Sequence, residues 1–409
     1  MRPHSPADLI AADKQHLWHP FTQMRDWCAP DHEPLIIESG KGAILTDIHG
    51  REYIDGNSSI WTNIHGHQHP HIDAAISAQL KKHAHSSFLG FTNEPAIRLA
   101  EKLTALFPDG TLDRVFFSDD GSTAIECALK MAIQFWQQSG QPDKCRFAAF
   151  ENAYHGDTLG AATLGGIDLF HGRFSKFGVQ VQHLRDISAL DQIDPATTAA
   201  IVIEPLIQGA AGIKLWPKGM LRTLRDWCDE YDVFLIFDEV MTGFGRTGKM
   251  FAGEHENVQP DFMAIAKGLT GGYLPLAATL TTNRVFDAFL GGAEKTFFYG
   301  HSYCGNALGC AAAIASLEIF ENENVLETLQ PKIARMTELL DGLNFRQCGF
   351  IAGIDIETDG AAACLAAREH GLLTRPIRNT LVLMPPLCIT EAQLEQAVVA
   401  IRKAKECGL

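Results

Sequence analysis

Five short apolar runs, separated by segments with helical periodicity, constrain the fold of this chain more than any other feature. They are rich in β-branched and aromatic residues, and they occupy residues 114–118, 146–150, 200–203, 233–237 and 262–266. A run that is apolar throughout is typical of a strand buried on both faces of a parallel sheet. Because these runs alternate with helical segments, the sequence predicts an α/β fold with a mainly parallel sheet and helices on both faces.

Composition limits the partners that the chain can have. A net charge of −15 and the absence of a basic cluster argue against nucleic acid or an anionic membrane as a partner. The first eight residues lack the apolar core of a signal peptide, and no apolar run approaches the length of a membrane span. The ten cysteines include no Cys-x-x-Cys pair, which fits a reduced protein. We therefore expect a cytoplasmic protein.

Elements of a second, smaller domain flank the strand-rich region. Residues 1–34 show little regular pattern, and short alternating runs between residues 35 and 54 indicate an antiparallel meander. Beyond residue 305, helical and extended segments of mixed length indicate an α+β unit. We expect a large domain at residues 61–304 and a small domain made from residues 1–60 and 305–409.

The two central runs end in residues that could share a site. Asp238 follows the run at 233–237, and Lys267 follows the run at 262–266. Ligands of α/β sheets bind beyond the carboxyl ends of the strands, where these side chains would meet. A poorly hydrated lysine is a nucleophile toward carbonyls, and a nearby acid suits pyridoxal phosphate, because a carboxylate keeps the pyridine nitrogen protonated. A half-buried ion pair between the two residues fits them equally well.

Two further loops could hold parts of the same cofactor. Gly121-Ser122 stands between a strand and a helix, where backbone N–H groups, a hydroxyl and the positive helix end favour a phosphate. A serine cap of the helix is the alternative. Tyr154-His155 follows the next strand and could stack on a flat ring, or could pack as an ordinary loop pair.

Two other motifs point to different functions. Gly243-Phe-Gly-Arg-Thr-Gly248 has the G-x-G-x-x-G pattern, which makes a nicotinamide oxidoreductase the alternative from another enzyme class. No amphipathic helix follows these glycines, so we do not expect a dinucleotide there. Histidines alternate at residues 65, 67, 69 and 71, but they lack the acid or cysteine partners and the helical spacing of known metal sites. We therefore expect no metal site.

These residues together resemble a known family over nearly the whole chain. Asp119-Asp-Gly-Ser122, Tyr154-His-Gly-Asp157, residues 238–248 and Ala266-Lys-Gly268 are similar to the motifs of class III pyridoxal-phosphate aminotransferases of fold type I. The resemblance implies pyridoxal 5′-phosphate as cofactor, and a large domain with a mainly parallel sheet beside a smaller α+β domain. It implies catalytic roles for Lys267, Asp238 and Tyr154, cofactor contacts from Gly121, Ser122, Tyr154, His155, Glu204, Asp238, Lys267, His301 and Ser302, and substrate contacts from Trp61, Tyr154, Gly300 and Arg375.

The resemblance also implies how these residues act. Lys267 bonds to the cofactor aldehyde and moves a proton, Asp238 pairs with the ring nitrogen, and Tyr154 covers a ring face. His301 and Ser302 match a loop that reaches the phosphate of the neighbouring subunit, which implies at least a homodimer.

Narrower motifs are similar to one branch of the family, which aminates 8-amino-7-oxononanoate to 7,8-diaminononanoate in biotin biosynthesis. They include residues 16–24, 55–61 and 383–386, and Arg375 would hold the substrate carboxylate. Relatives that use S-adenosylmethionine as donor usually have tyrosine where Phe21 stands and tryptophan where Ile60 stands, whereas a lysine-using branch resembles this chain, so the donor stays open. Another class III ω-aminotransferase is the alternative, although such enzymes place a glutamate where Ala210 stands.

Overall fold

The computed structural model describes residues 5–357 and 359–406. Residues 1–4, 358 and 407–409 lie outside this description, and with them parts of the predicted segments 1–60 and 305–409. None of the helices in the described ranges has the length and apolar character that crossing a membrane requires.

The regular elements fall into three portions of the chain. Before the large sheet lie α1 (Pro6–His16), α2 (Met24–Trp27), β1 (Ile37–Lys41), β2 (Ile44–Asp47), β3 (Glu52–Asp55), α3 (Ser58–Trp61), α4 (Pro70–Lys82) and α5 (Glu94–Thr104). The central portion contains β4 (Arg114–Ser118), α6 (Gly121–Gln138), β5 (Arg146–Phe150), α7 (Leu159–Leu164), α8 (Asp168–His171), β6 (Val181–Leu184), β7 (Thr198–Ile203), β8 (Ile207–Gln208), β9 (Lys214–Leu215), α9 (Met220–Tyr231), β10 (Phe234–Asp238), β11 (Phe262–Ile265), β12 (Ala277–Thr281) and α10 (Asn283–Ala288). The last portion contains α11 (Ala307–Asn322), α12 (Val325–Leu340), β13 (Phe345–Cys348), β14 (Ile351–Asp355), α13 (Gly360–Glu369), β15 (Leu372–Leu373), β16 (Pro376–Ile377), β17 (Thr380–Leu383) and α14 (Glu391–Glu406).

The central sheet is built around the five apolar runs of the sequence. In the described residues it has seven strands in the order β4-β12-β11-β10-β7-β5-β6. Each neighbouring pair from β11 to β6 is parallel, while β12 runs antiparallel to both β11 and β4. The predicted α/β fold with a mainly parallel sheet is confirmed.

Strand β10 shows why its run is apolar throughout. Phe234 and Ile236 pack with the buried side chains of α6, such as Phe135. Leu235 and Phe237 point to the opposite face and pack with the buried residues of α9. Successive side chains of a strand face opposite sides, so a strand covered on both sides has no position for a polar residue. Each of these buried side chains contributes roughly 1.5–3 kcal/mol to folding.

Smaller sheets are built from the two ends of the chain. In the described residues, one sheet has the order β1-β2-β3-β15 and another has the order β13-β14-β17-β16. The first joins distant parts of the sequence, because Leu372 pairs in register with Ile54. The amino-terminal meander therefore packs with elements that follow the large sheet.

Residues 5–34 are more regular than the sequence predicted. Helix α1 begins after Ser5, whose hydroxyl accepts from the backbone N–H of Asp8, while the Asp8 carboxylate accepts from the backbone of Ser5. Pro6 stands at the start of the helix, where its missing N–H has no cost. The helix contains no buried residue, so it lacks the apolar periodicity that would have revealed it.

Candidate active site

A cavity of about 480 Å³ lies beyond the carboxyl ends of β4, β7, β10 and β11. This is the position at which α/β sheets bind ligands, and the volume suits a small cofactor with a substrate. Its lining includes many of the residues predicted from the sequence, namely Trp61, Gly121, Ser122, Tyr154, His155, Glu204, Asp238 and Lys267. Asp238 and Lys267 reach it from neighbouring strands, because Asp238 pairs in register with Ala264 of β11.

Asp238 is a buried carboxylate with a histidine behind it. Its Oδ2 lies 2.7 Å from Nδ1 of His155, and its Oδ1 accepts from the backbone N–H of Val240 at 3.1 Å. Burial alone would lower the pKa of His155, but the hydrogen bond and the charge of Asp238 outweigh it and raise that pKa. The pair therefore favours a protonated imidazole beside a charged carboxylate, which presents its negative charge to the cavity.

A second buried acid, Glu204, stands at the end of β7. Its two oxygens accept from the backbone N–H groups of Tyr154 at 3.2 Å and Gly209 at 2.9 Å. Burial raises its pKa to about 7, and the charge of Asp238 adds to that rise. Glu204 thus joins the loops after β5 and β7 and brings a second titratable acid to the cavity.

Lys267 follows β11 at the start of a 3₁₀ turn, Lys267–Thr270, and its backbone is left-handed with φ of 44°. Burial lowers the pKa of its amine, while the charges of Asp238 and Glu204 partly oppose this. Nζ lies 4.8 Å from the centre of the Trp61 ring. A larger neutral fraction makes the amine a better nucleophile and proton acceptor near neutral pH.

The start of α6 has the features that the sequence predicts for an anion seat. Asp120 caps the helix through the N–H of Thr123, which leaves the N–H groups of Gly121 and Ser122 without acceptors from residues 5–357 and 359–406. The Ser122 hydroxyl accepts from the backbone of Asp157 at 3.2 Å and keeps its own proton to donate. A Cβ on Gly121 would lie 2.8 Å from Cγ1 of Val240, so glycine allows a close backbone approach.

Tyr154 forms part of an aromatic wall. Its hydroxyl donates to Oδ2 of Asp157 at 2.6 Å, and its ring stacks on His171 with centroids 5.7 Å apart. Burial raises its pKa, and the hydrogen bond to Asp157 acts in the same direction. Tyr154 therefore stays protonated, and its phenol is held in place by the carboxylate.

Trp61, which lines the cavity, belongs to a segment with an unusual backbone conformation. The segment Ser58–Trp61 consists of residues with positive φ: 45° at Ser58, 49° at Ser59, 70° at Ile60 and 69° at Trp61. Left-handed backbone costs an L-residue about 1–2 kcal/mol, so consecutive instances need strong support from their surroundings. We call this segment the left-handed turn.

Other predicted site residues lie outside the cavity lining of the single chain. Arg375 is exposed, and its guanidinium lies 5.7 Å from the ring centre of Phe21. Nδ1 of His301 lies 3.4 Å from Oδ2 of Asp119, which does line the cavity, while Ser302 is exposed. The loop from Gly300 to Ser302 was predicted to serve a neighbouring subunit, and that role stays a prediction.

The alternating histidines each have a separate partner. His65 bonds to Ser316, His67 to Asp55, His69 to Glu323 and His71 to Glu318. In the described residues no group of histidine, cysteine and acidic side chains could hold a metal ion.

The glycines of residues 243–248 do not open a helix. Instead the N–H of Phe244 returns to the carbonyl of Met250, and the buried Arg246 donates to the carbonyl of Pro385 at 2.7 Å. A dinucleotide fingerprint needs a helix that begins at its glycines and offers N–H groups to a pyrophosphate. This segment packs as a loop, so its pattern is fortuitous.

Comparison with known proteins identifies the family. Residues 28–404 match the family described as aminotransferase class-III. The chain belongs to this family. The predicted family and enzyme class are thus confirmed, and with them the pyridoxal-phosphate dependence of class-III aminotransferases.

Individual relatives agree with this assignment over nearly their full lengths. The adenosylmethionine-8-amino-7-oxononanoate aminotransferase of Geobacter sulfurreducens is 43% identical, with 96% of each chain covered. A crystal structure of the enzyme of that name from Methanocaldococcus jannaschii superposes with a TM-score of 0.94 at 39% identity, covering 98% of this chain and 99% of that one. An amine transaminase from an uncultivated Pseudomonas species, solved with pyridoxal phosphate bound, gives 0.89 at 33% identity, covering 96% and 99%.

Sequence reasoning missed several parts of this candidate site. Asp157 and His171 hold Tyr154, and Phe170 lies 6.4 Å from the Tyr154 ring and 5.5 Å from that of Phe21. Asp157 belongs to one of the family motifs, but the short helix α8 that carries Phe170 and His171 has no clear periodicity. No local pattern indicates that it packs against the wall of the cavity.

Proposed function

We propose that this class-III aminotransferase uses pyridoxal phosphate to transfer an amino group to 8-amino-7-oxononanoate, giving 7,8-diaminononanoate. The observation that carries the proposal is that Asp238 and Lys267 line one cavity together with the anion seat at Gly121 and Ser122. Relatives that are named for this reaction cover nearly the whole chain, which supports the choice of substrate.

The residues of the cavity fit the cofactor. Asp238 offers a buried carboxylate for the pyridine nitrogen, and the seat at the start of α6 offers free N–H groups and the Ser122 hydroxyl for the phosphate. Tyr154 would cover one face of the ring, beside His155, whose buried Nε2 has no hydrogen-bond partner in the described chain. Lys267 would bind the aldehyde through its amine. When bound, pyridoxal phosphate supplies a ring that withdraws electrons from the adjacent carbon.

Lys267 is proposed to move the proton. Burial lowers the pKa of its amine, so Nζ can accept a proton near neutral pH and return it to a neighbouring carbon. Trp61 lies against this amine and limits the access of water to it.

Asp238 and His155 are proposed to hold the ring nitrogen charged. The carboxylate faces the cavity, and the protonated imidazole at 2.7 Å supports its negative charge. Because this pair is buried, its field on a bound ring is little screened by water.

Substrate and donor are proposed to meet at the outer wall of the cavity. Arg375, which lies near Phe21 and close enough to Tyr154 for its charge to act on that phenol, would bind the oxononanoate carboxylate. Trp61, Tyr154 and Gly300 would contact the remainder of the substrate. Phe21 offers no hydroxyl and Ile60 no aromatic face, so lysine is retained beside S-adenosylmethionine as a candidate donor. A different amine or keto acid of the same enzyme class is the alternative, and the absence of an acid at Ala210 weighs against it.

We also propose a homodimer in the cytoplasm, with His301 and Ser302 of each chain serving the phosphate of the other. The exposure of Ser302 in the single chain supports this, because an exposed hydroxyl is accessible to a second chain. Within each chain we propose the domain limits 60/61 and 304/305. The pairing of β3 with β15 supports them, because it joins the two ends of the chain in one sheet.

The test is a direct assay with each donor. Purified protein with pyridoxal phosphate and 8-amino-7-oxononanoate is supplied with S-adenosylmethionine or lysine, and the diamine product is measured by mass spectrometry. We expect product with one donor at least, none with Lys267→Ala, and normal turnover with the exposed control Lys218→Ala. Borohydride should fix the cofactor to the peptide containing Lys267. Diamine formation by Lys267→Ala at the normal rate would refute the proposed mechanism, and failure of both donors would favour another substrate.

A further inference from the structure

The left-handed turn has a buried carboxylate at its base. Asp55 ends β3 and is 2% exposed. Its Oδ1 accepts from the backbone N–H of Ser59 at 2.9 Å, and its Oδ2 accepts from the Ser59 hydroxyl at 2.8 Å. One side chain therefore binds both hydrogen-bond donors of Ser59, in the middle of the strained segment.

Two side chains from other elements lie near this carboxylate. Nε2 of His67 lies 3.2 Å from Oδ2 of Asp55. The fully buried Arg246 is also close enough for the charge of Asp55 to oppose the fall of its pKa that burial causes. A carboxylate accepts stronger hydrogen bonds than a neutral group does, so the two bonds from Ser59 hold the turn firmly.

The two ends of the turn are fixed as well. Ser58 donates its hydroxyl to the carbonyl of Met384 at 2.7 Å, and the Trp61 indole N–H donates to Oδ1 of Asn57 at 2.7 Å. Only the middle of the turn depends on Asp55. Because no residue of the turn is glycine, this backbone would relax to a right-handed or extended form without its hydrogen bonds.

The conformation of the turn decides where Trp61 lies. Its ring centre is 4.8 Å from Nζ of Lys267, and its Cη2 is so close to Gly209 that a Cβ there would lie at 3.2 Å. A change of φ at Ser59 would move every following atom, including this ring. The contact between the indole and the amine is therefore coupled to a residue that does not line the cavity.

We propose that Asp55 and Ser59 are positioning residues, which hold the left-handed turn so that the Trp61 ring stays against the amine of Lys267. They touch neither cofactor nor substrate and act through the turn. The proposal rests on the proposed function only in treating Lys267 as the reactive amine. Its test uses protein without cofactor. A negative result there would leave the proposed function intact, and a failure of the proposed function would leave the positioning role intact.

The experiment measures the accessibility of Trp61. Acrylamide quenching of tryptophan fluorescence is recorded for each protein and for the same protein carrying Trp61→Phe, and the difference gives the contribution of Trp61. The variants are Ser59→Ala, Ser59→Gly and Asp55→Asn. The matched control is Ser188→Ala and Ser188→Gly, because Ser188 also donates its hydroxyl to an aspartate, Asp186, in an exposed turn. Thermal unfolding of each variant shows that it is folded.

The order of the Ser59 variants decides the outcome. Ser59→Ala loses a hydrogen bond to a charged group and keeps the left-handed strain, so we expect the open conformers that expose Trp61 to rise about tenfold or more. Ser59→Gly also loses the hydroxyl, but glycine tolerates a φ of 49°, so we expect it to restore part of the wild-type protection. Asp55→Asn should resemble Ser59→Ala, and the control pair should not change the Trp61 contribution.

A residue that only stabilises a regular helix or strand would give the opposite order of the alanine and glycine variants. In a regular helix or strand, glycine is more disruptive than alanine. Trp61 quenching that is unchanged by Ser59→Ala, or larger for Ser59→Gly than for Ser59→Ala, would overturn the proposal. If Asp55→Asn does not fold, the two Ser59 variants decide alone.

Discussion

Replacing Glu204 by glutamine tests the electrostatics of the cavity through the stability of the protein. Burial raises the pKa of Glu204 from its ordinary value of 4.5 to about 7. In the folded protein this acid is therefore protonated at pH values at which it is already ionised in the unfolded chain. Its contribution to stability is fully present below about pH 4.5 and is lost as the pH rises through about 7.

The magnitude follows from the two pKa values. The difference between 4.5 and about 7, at about 1.4 kcal/mol for each pH unit, amounts to about 3 kcal/mol. Glutamine cannot ionise, so Glu204→Gln should remove this contribution to the pH dependence of the unfolding free energy. The amide oxygen accepts one hydrogen bond well but cannot carry the charge, so the absolute stability should also change. The slope of the unfolding free energy against pH is therefore the informative quantity.

The assay is urea unfolding of the cofactor-free protein at a fixed protein concentration between pH 4.5 and 8. The free energy of unfolding of the wild type should fall faster across this range than that of Glu204→Gln, by about 3 kcal/mol in total. Glu101→Gln, at an exposed helical position, is the control and should follow the wild-type slope. Parallel curves for the wild type and Glu204→Gln would refute the reasoning.

Three further substitutions test the cofactor seat. Asp238→Asn should reduce kcat by several orders of magnitude and lower the pKa of His155, because the hydrogen bond and the charge of its partner are lost. An NMR titration that gives His155 the same pKa in the variant and in the wild type would contradict this. Ser122→Ala should weaken pyridoxal-phosphate binding about tenfold in a fluorescence titration, since one hydrogen bond to a charged group is removed, and equal affinity would contradict it. Gly121→Ala should weaken pyridoxal-phosphate binding more strongly than Ser122→Ala, because its Cβ would lie 2.8 Å from Val240. If Gly121→Ala binds the cofactor at least as tightly as Ser122→Ala, the close approach of this backbone is unnecessary.

Most inner strands of the large sheet could be predicted from the sequence because they are buried on both faces. The runs at Arg114–Ser118 and Arg146–Phe150 coincide with β4 and β5. Strand β10 begins one residue later than its run and extends to Asp238, so the acid belongs to the strand itself. Uniform burial leaves a continuous apolar pattern, which is readable without knowledge of the neighbouring elements.

The left-handed turn could not be predicted in this way. The sequence Ser58-Ser-Ile-Trp61 contains no glycine to indicate a positive φ. Its conformation depends on Asp55, on Asn57 and on the carbonyl of Met384, which is more than 300 residues away in the chain. Backbone strain that tertiary contacts impose has no local sequence pattern.

The parts of the candidate site that could be predicted are the residues that stand close to the end of a buried strand. Asp238, Lys267 and Gly121 each follow an apolar run closely, so their convergence follows from the parallel sheet. The roles of Gly300, His301 and Ser302 depend on a second chain and stay predictions. Three of the four histidine pairs depend on helix α11 and the residue that follows it, more than 200 residues further along the chain, so the loop alone could not reveal them.

The antiparallel strand β12 has a consequence for the mechanics of the enzyme. β11 and β12 pair from Phe262 opposite Thr281 to Ile265 opposite Ala278, so the segment that bears Lys267 is the tip of a hairpin inside the large sheet. Both ends of this tip are strands of the large sheet, each paired with a neighbour on either side. Lys267 is therefore held by the large sheet from both directions along the chain, and a displacement of the smaller sheets would leave its amine in place.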